Sequence, residues 1–298
     1  MSRLRIGTRG SPLALWQAEH VKGRLAALGH EVELRVITTT GDRLLDRRLE
    51  SVGGKGAFLK EIEEAMLAGE ADLAVHSLKD VPTALPAGLS LCAILERADA
   101  RDAFLSSGPR LLELPVGATV GTTSLRRQAQ LRALRGDLVL ADLRGNVDTR
   151  IRRLREGRFD AILLAMAGLA RLGRADEVTE VLDPREFVPA PGQGAIALEC
   201  RDADAAVRRA LAFLDHPPTA RAVTAERAFL AALGGGCNVP LGAHAFAVDG
   251  GLELVGFVAE AGGPGIVRGG RRGSDPDSLG RALAGELLSR GAHALLGR

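Results

Sequence analysis

Two apolar periodicities alternate along this chain of 298 residues, one of about two residues and one of three to four. They predict strands and helices in turn. Residues 4–30 (LRIGTRGSPLALWQAEHVKGRLAALGH) read as strand, turn and helix. Ser11 is placed to cap that helix, Pro12 to open it and Gly29 to stop it, and Leu13, Trp16, Val21, Leu25 and Leu28 approximate its apolar stripe. EVELRVITT (31–39) alternates as a strand, KGAFLKEIEEAMLAGE (55–70) is helical, and ADLAVHS and LSLCAIL are buried strands. A second run repeats the order. ATVGTTSLRRQAQLRALRG, DLVLADLRGNVDTRIRRLREG and FDAILLAMAGLARLG each pass from strand through a turn to a helix. PAPGQGAIALEC then reads as a crossing with a short strand, and PPTARAVTAERAFLAALGGG as a helix closed by glycine. Three strands with glycine-rich turns (from Val239 to Gly273) and a last helix (275–290) complete the pattern. Alternating strands and helices imply α/β sheets, and the tail implies a smaller α+β domain.

Composition narrows the class. At 46% hydrophobic residues the chain can bury a large core. No apolar run reaches the ~20 residues of a membrane span. The N-terminal stretch shows no apolar signal core, so a cytoplasmic protein is expected. Three cysteines, at 92, 200 and 237, do not look like a disulfide framework, and their spacing does not suit a zinc site; no metal is expected. Net charge is only +2, but the 39 cations comprise 35 Arg and 4 Lys. Arginine suits two-point binding of carboxylate or phosphate, although an arginine-biased genome would give the same total. Acidic residues are interspersed, Tyr is absent and aromatics are 3%, which argues against a nucleic-acid surface.

Candidate chemistry collects where predicted strands end. Lys79 and Asp80 follow a buried strand, where open α/β sheets bind ligands; a turn Asp held by a salt bridge is the plainer reading. GTTSLRRQ offers the hydroxyls of Thr122, Thr123 and Ser124, free N–H groups at a helix start, and Arg126 and Arg127. It lacks the ending of a nucleotide P-loop. LRGNVDTR adds Arg144, Gly145 and Arg150, GLARLG adds Arg171, and GTRGS adds Arg9 and Ser11. If the two sheets face one another, this set suits a ligand bearing many carboxylates or phosphates. Residues 43–57 form a charged, glycine-containing loop that is either a solvated surface or a lid, with Lys55 near its end and Phe58 just beyond. Cys237 follows three glycines, either as a small buried residue or as a nucleophile or attachment point.

Read together, IGTRGSPLALWQA, VGGKGAF, AVHSLKDVP, RDAF, VGTTSLRRQAQL, LRGNVDTR, AMAGLARLG, PGQGA, TAERAFL and GGGCNVPLG resemble, in order and over nearly the full length, the porphobilinogen deaminase (hydroxymethylbilane synthase) family. The resemblance implies two α/β domains like a type 2 periplasmic binding protein, at 1–95 with 195–213 and at 100–190. A smaller α+β C-terminal domain, 217–298, would carry the cysteine. It implies a transferase of porphyrin and heme biosynthesis, bacterial in type. Four porphobilinogen molecules would be joined head to tail, releasing four ammonias and the linear tetrapyrrole hydroxymethylbilane.

By the same resemblance Cys237 holds a dipyrromethane cofactor through a thioether, and Cys92 and Cys200 read as strand filler. Cofactor contacts fall to Lys79, Asp80, Thr122, Ser124, Arg126, Arg127, Arg144 and Gly145. Substrate contacts fall to Arg9, Ser11, Arg144, Arg150, Arg171 and Gln193, and the lid to Lys55 and Phe58. Asp80 is the catalytic carboxylate, stabilising the positive charge left as ammonia departs and also placed to help move protons. The chain departs from the usual family pattern at Thr40 and Ala170, which touches peripheral contacts only. Porphobilinogen is the expected partner, with neither nucleic acid nor membrane, and a monomer is expected. The competing reading is a non-catalytic two-lobed anion-binding protein, for which Cys237 and Asp80 would be dispensable.

Overall fold

The computed structural model describes residues 3–43, 58–234 and 239–296. In chain order the first elements are β1 (Arg3–Thr8), α1 (Pro12–Ala27), β2 (Glu31–Val36), α2 (Thr40–Arg43), α3 (Lys60–Leu67), β3 (Leu73–Ser77) and β4 (Leu89–Ile94). Next come β5 (Asp102–Ser106), β6 (Thr119–Gly121), α4 (Leu125–Leu134), β7 (Val139–Ala141), α5 (Val147–Arg155), β8 (Ala161–Ala165), α6 (Met166–Arg171) and β9 (Glu180–Val181). The last are β10 (Ile196–Arg201), α7 (Ala205–Ala212), α8 (Pro217–Ala232), β11 (Leu241–Val248), β12 (Gly251–Ala259), β13 (Ile266–Gly273) and α9 (Pro276–Leu287). The chain divides into two compact units, residues 1–98 with 195–220, and residues 99–194 with 221–298.

The first unit holds a five-stranded sheet in the order β2-β1-β3-β10-β4. Strands β1, β2 and β3 run parallel, and β10 runs antiparallel between β3 and β4. The second unit holds a sheet of the same plan, β7-β6-β8-β5-β9, with β6, β7 and β8 parallel and β5 antiparallel. In each sheet the antiparallel strand is the first strand after the chain enters that unit from the other: β5 after residue 99 and β10 after residue 195. The second unit also contains the antiparallel sheet β11-β12-β13, packed with α8 and α9 around Phe229, Leu254 and Leu283. The fold class is therefore the expected one: two α/β sheets and a smaller α+β part.

Local chemistry accounts for the helix starts. The Ser11 hydroxyl accepts the Ala14 N–H with Pro12 in the first turn, and Gly29 ends the segment at φ +86°. Ser124 caps α4, Asn146 caps α5 and Asp275 caps α9 in the same way. The buried face of α1 is Gln17, Ala18, Val21 and Leu25, so the expected stripe holds at Val21 and Leu25, while Trp16 and Leu28 are exposed. Strand β5, strand β9 and helix α7 answer to no sequence expectation. β5 starts on a buried aspartate, β9 is two residues long, and neither shows a period to read.

One expectation is corrected. Cys92 and Cys200 form a disulfide, with Cα atoms 6.3 Å apart. They are 108 residues apart in sequence and meet because β10 lies beside β4. Count and spacing carry no sign of such a pair, because sheet order alone brings the two strands together. Among the described residues no helix is long and apolar enough to cross a membrane.

Candidate active site

In the first unit, Arg9 and Ser11 follow β1, while Lys79 and Asp80 lie in a short 3-10 turn directly after β3. These are the carboxyl ends of two parallel neighbours, where the chain leaves the sheet and side chains converge. A cavity of about 90 Å³ is lined by Arg9, Ser11, Gln17, Phe58, His76 and Asp80, among others. The Arg9 guanidinium lies 4.2 Å from the centroid of the Phe58 ring, a cation–π distance. Its Nε donates to Asp42 at 3.1 Å. Asp42 also accepts from the Thr39 hydroxyl at 2.8 Å. Burial alone would raise the Asp42 carboxyl, but the bonds from Arg9 and Thr39 hold it below the ordinary carboxylate range. Gly41 beside it leaves room for the Phe58 ring, which a β-carbon there would overlap. Asp42 and Gly41 are thus working parts that sequence reading passed over; the signal was the Gly-Asp pair after the second strand.

The Ser11 hydroxyl is engaged as the cap of α1, and the Thr40 hydroxyl bonds Glu61. Lys55 and most of the 43–57 loop lie outside the described residues, as does Cys237.

In the second unit the predicted residues again follow parallel strands: Thr122 and Ser124 after β6, Arg144 and Gly145 after β7, and Arg171 at the end of α6 after β8. Thr122 Oγ1 accepts the Ser124 N–H, and Ser124 Oγ accepts that of Arg127. Gly145 sits at φ +104°, and a β-carbon there would press on Thr149. Its carbonyl accepts from Arg150 Nε at 2.8 Å, which ties the side chain to the turn. Arg144 lies 3.5 Å from the exposed Asp142. Arg171 donates to the Gly194 carbonyl at 2.7 Å, and burial lowers it to about 10, so it remains a cation at neutral pH.

Arg126 and Arg127 lie deeper than a surface anion site requires, each 6% exposed. Both turn their guanidinium groups on Asp102, which is fully buried at the start of β5. Arg126 Nη1 reaches Asp102 Oδ2 at 2.7 Å and the Val188 carbonyl at 2.7 Å. Arg127 reaches Asp102 Oδ1 with Nη2 at 2.7 Å and the Leu163 carbonyl with Nη1 at 2.8 Å. Burial would raise the Asp102 carboxyl, but the two guanidiniums overcome it and hold the group far below its usual range. Two cations on one anion leave a net positive charge in this interior. Gln193 joins the same cluster, its side-chain amide donating to the Ala100 carbonyl at 2.7 Å and to Asp102 at 3.2 Å. Asp102 had appeared only as part of the RDAF resemblance; its partners are 24 and 25 residues away and no local spacing links them.

A set of cations and hydroxyls at strand ends suits a polycarboxylate ligand, and comparison with known proteins names the family of the chain. The family "Porphobilinogen deaminase, dipyromethane cofactor binding domain" matches residues 4–209, and "Porphobilinogen deaminase, C-terminal domain" matches 220–289. The chain belongs to the porphobilinogen deaminase family. It is 54% identical to the porphobilinogen deaminase of Geobacter sulfurreducens over 99% of this chain and 94% of that one. It is 55% identical to that of Trichlorobacter lovleyi over 99% and 96%. Among solved structures, a Salmonella typhimurium periplasmic binding protein of high arginine specificity aligns at 12% identity, with TM-score 0.40, over 74% of this chain and 97% of that one. Porphobilinogen deaminases are enzymes of tetrapyrrole synthesis, and the cofactor-binding match covers both five-stranded sheets.

Proposed function

We propose that this chain is a transferase that condenses four porphobilinogen molecules head to tail on a dipyrromethane primer, releasing four ammonias and, by hydrolysis, hydroxymethylbilane. The observation that carries the reading is the repeated placement of cations and hydroxyls after parallel strands in both sheets: Arg9, Ser11 and Lys79 in one, Thr122, Ser124, Arg144 and Arg171 in the other. Each porphobilinogen carries an acetate and a propionate. A donor set of this kind fits the carboxylates of a dipyrromethane and of the chain grown on it.

The primer is taken to be joined to Cys237 through a thioether, and when bound it supplies the free pyrrole α-carbon for the first condensation. Lys79, Asp80, Thr122, Ser124, Arg126, Arg127, Arg144 and Gly145 would hold it. Arg9, Ser11, Arg144, Arg150, Arg171 and Gln193 would hold the substrate carboxylates. Arg126 and Arg127 act through the net positive charge of their cluster with Asp102, since their own donors are turned inward. Asp80, in the cavity with Arg9, stabilises the positive charge that develops on the substrate pyrrole as ammonia leaves. Phe58 and Lys55 exclude water. The working division is three domains, 1–95 with 195–213, 100–190 and 217–298, in a cytoplasmic monomer.

Intact mass of the purified protein, with peptide mapping around residue 237, tests the reading. Added mass equal to two linked pyrroles on Cys237 is expected, together with ammonia release from porphobilinogen. A non-catalytic anion binder would instead take up porphobilinogen reversibly, with no added mass and no ammonia.

A further inference from the structure

Behind the Asp80 cavity lies a buried acidic cluster that the proposed reaction has not used. His76, on β3 four residues before Asp80, is 7% exposed and lines the same cavity. Its Nε2 meets Glu199 Oε2, on the neighbouring strand β10, at 2.9 Å. Glu199 is fully buried, and its second oxygen, Oε1, has no hydrogen-bond partner among the described residues. Glu63 on α3, also buried, is the third member. Burial and then the charge of Glu199 raise its carboxyl above the ordinary range, while His76 acts the other way. Two carboxyl groups around one imidazole, under a cavity wall, are an expensive arrangement for a core position. An imidazole oriented by a carboxylate on one nitrogen is an arrangement suited to proton transfer at the other.

We propose that His76, oriented by Glu199, is the base that removes the proton displaced in each condensation, leaving Asp80 to stabilise the cation. This rests on the deaminase reading above. As ammonia leaves, the aminomethyl carbon of porphobilinogen becomes electrophilic; it then bonds to the free α-carbon of a bound pyrrole. That carbon must lose its hydrogen as a proton for the ring to regain aromaticity. The proton passes to the His76 ring, through the nitrogen not held by Glu199, and from there to solvent or to the departed ammonia. The C–N bond breaks, the C–C bond forms, the C–H bond breaks, and no redox partner is needed. The division of labour has a physical reason. A carboxylate that takes the proton ceases to stabilise the cation beside it, whereas an imidazole beside a fixed anion can do one task while Asp80 does the other.

The test uses the holo-protein, after wild type has been shown to release ammonia from porphobilinogen. Absence of that activity would sink the deaminase reading itself and is thereby separated from failure of this proposal. His76→Gln preserves a hydrogen bond to Glu199 but cannot titrate. It is expected to keep KM within about threefold and to lower kcat roughly 10²–10⁴-fold. With porphobilinogen deuterated at its free α-carbon, the variant should show a primary isotope effect larger than wild type, because proton removal has become limiting. A structural role alone would not produce that isotope effect. Independently of turnover, one ring signal in ¹⁵N-histidine spectra should be missing in His76→Gln, displaced in Glu199→Gln, and moved in wild type by porphobilinogen. If His76→Gln does not fold, Glu199→Gln carries the kinetic test with the same expected isotope effect. Near-wild-type kcat without an isotope effect in the folded variant, or a His76 signal indifferent to porphobilinogen, overturns the proposal.

Discussion

Asp102 holds two arginines that would otherwise be buried cations without a counter-ion. Its carboxyl is depressed in the folded protein, so its contribution to stability is complete above the unfolded value near ~3.9 and fades as pH falls below it. Asp102→Asn should therefore lower stability by about 3–5 kcal/mol at pH 7, the usual effect of removing one partner of a buried ion pair. Urea unfolding at pH 7 and again below pH ~4 checks this: the gap between variant and wild type should narrow in acid. Asp80 makes the opposite prediction. It is half-buried in a turn rather than the centre of a core, so Asp80→Asn should unfold at the wild-type temperature yet lose ammonia release by roughly 10²-fold or more. Thermal melts and a turnover assay separate the two, and wild-type-like turnover would remove Asp80 from the mechanism. Of this chemistry the sequence showed the donors better than their partners. Arg126 and Arg127 stand out beside a capped helix start, but the acid that buries them is on another strand, and side-chain pairing across a sheet leaves no local trace. His76 and Glu199 were illegible for the same reason.

Among the elements, those with long periods or end signals were readable: α1 from Ser11, Pro12 and Gly29, α9 as the closing helix of the chain, and the three strands of the C-terminal sheet. What was missed lacks such signals. The disulfide and β5 are products of strand order, not of any window of sequence. Glycine shows the same limit at Gly280 on α9, where a β-carbon would overlap the Ala225 carbonyl oxygen of α8. The residue is there because two helices approach closely, although a mid-helix glycine otherwise weakens a helix. Gly280→Ala should thus destabilise, by about 1–3 kcal/mol as an overpacked contact, despite alanine's better helix propensity. Chemical denaturation decides it; a gain in stability would mean that the helices can part without cost.

For the whole molecule, the three cysteines give a count that joins the disulfide to the proposed attachment. If Cys92 and Cys200 are bonded and Cys237 carries the primer, denatured but unreduced holo-protein should take up no alkylating reagent, and two equivalents after reduction. Mass spectrometry reads both numbers. One equivalent before reduction would mean an unloaded Cys237, two would mean that the disulfide is not formed, and three would mean both.

The interleaved sheets also set an order of events during synthesis. β4 emerges by residue 94, but its neighbour β10 does not begin until residue 196. At about 5–20 residues per second that is a wait of roughly 5–20 s. Over that interval β3 has no partner on one side and β4 has none of its own sheet, while all five strands of the other sheet, β5 to β9, are complete by residue 181. The five-stranded sheet begun first is thus the one that finishes second, and a ribosome stalled before residue 196 would display an open strand edge to whatever chaperone or neighbouring chain is at hand.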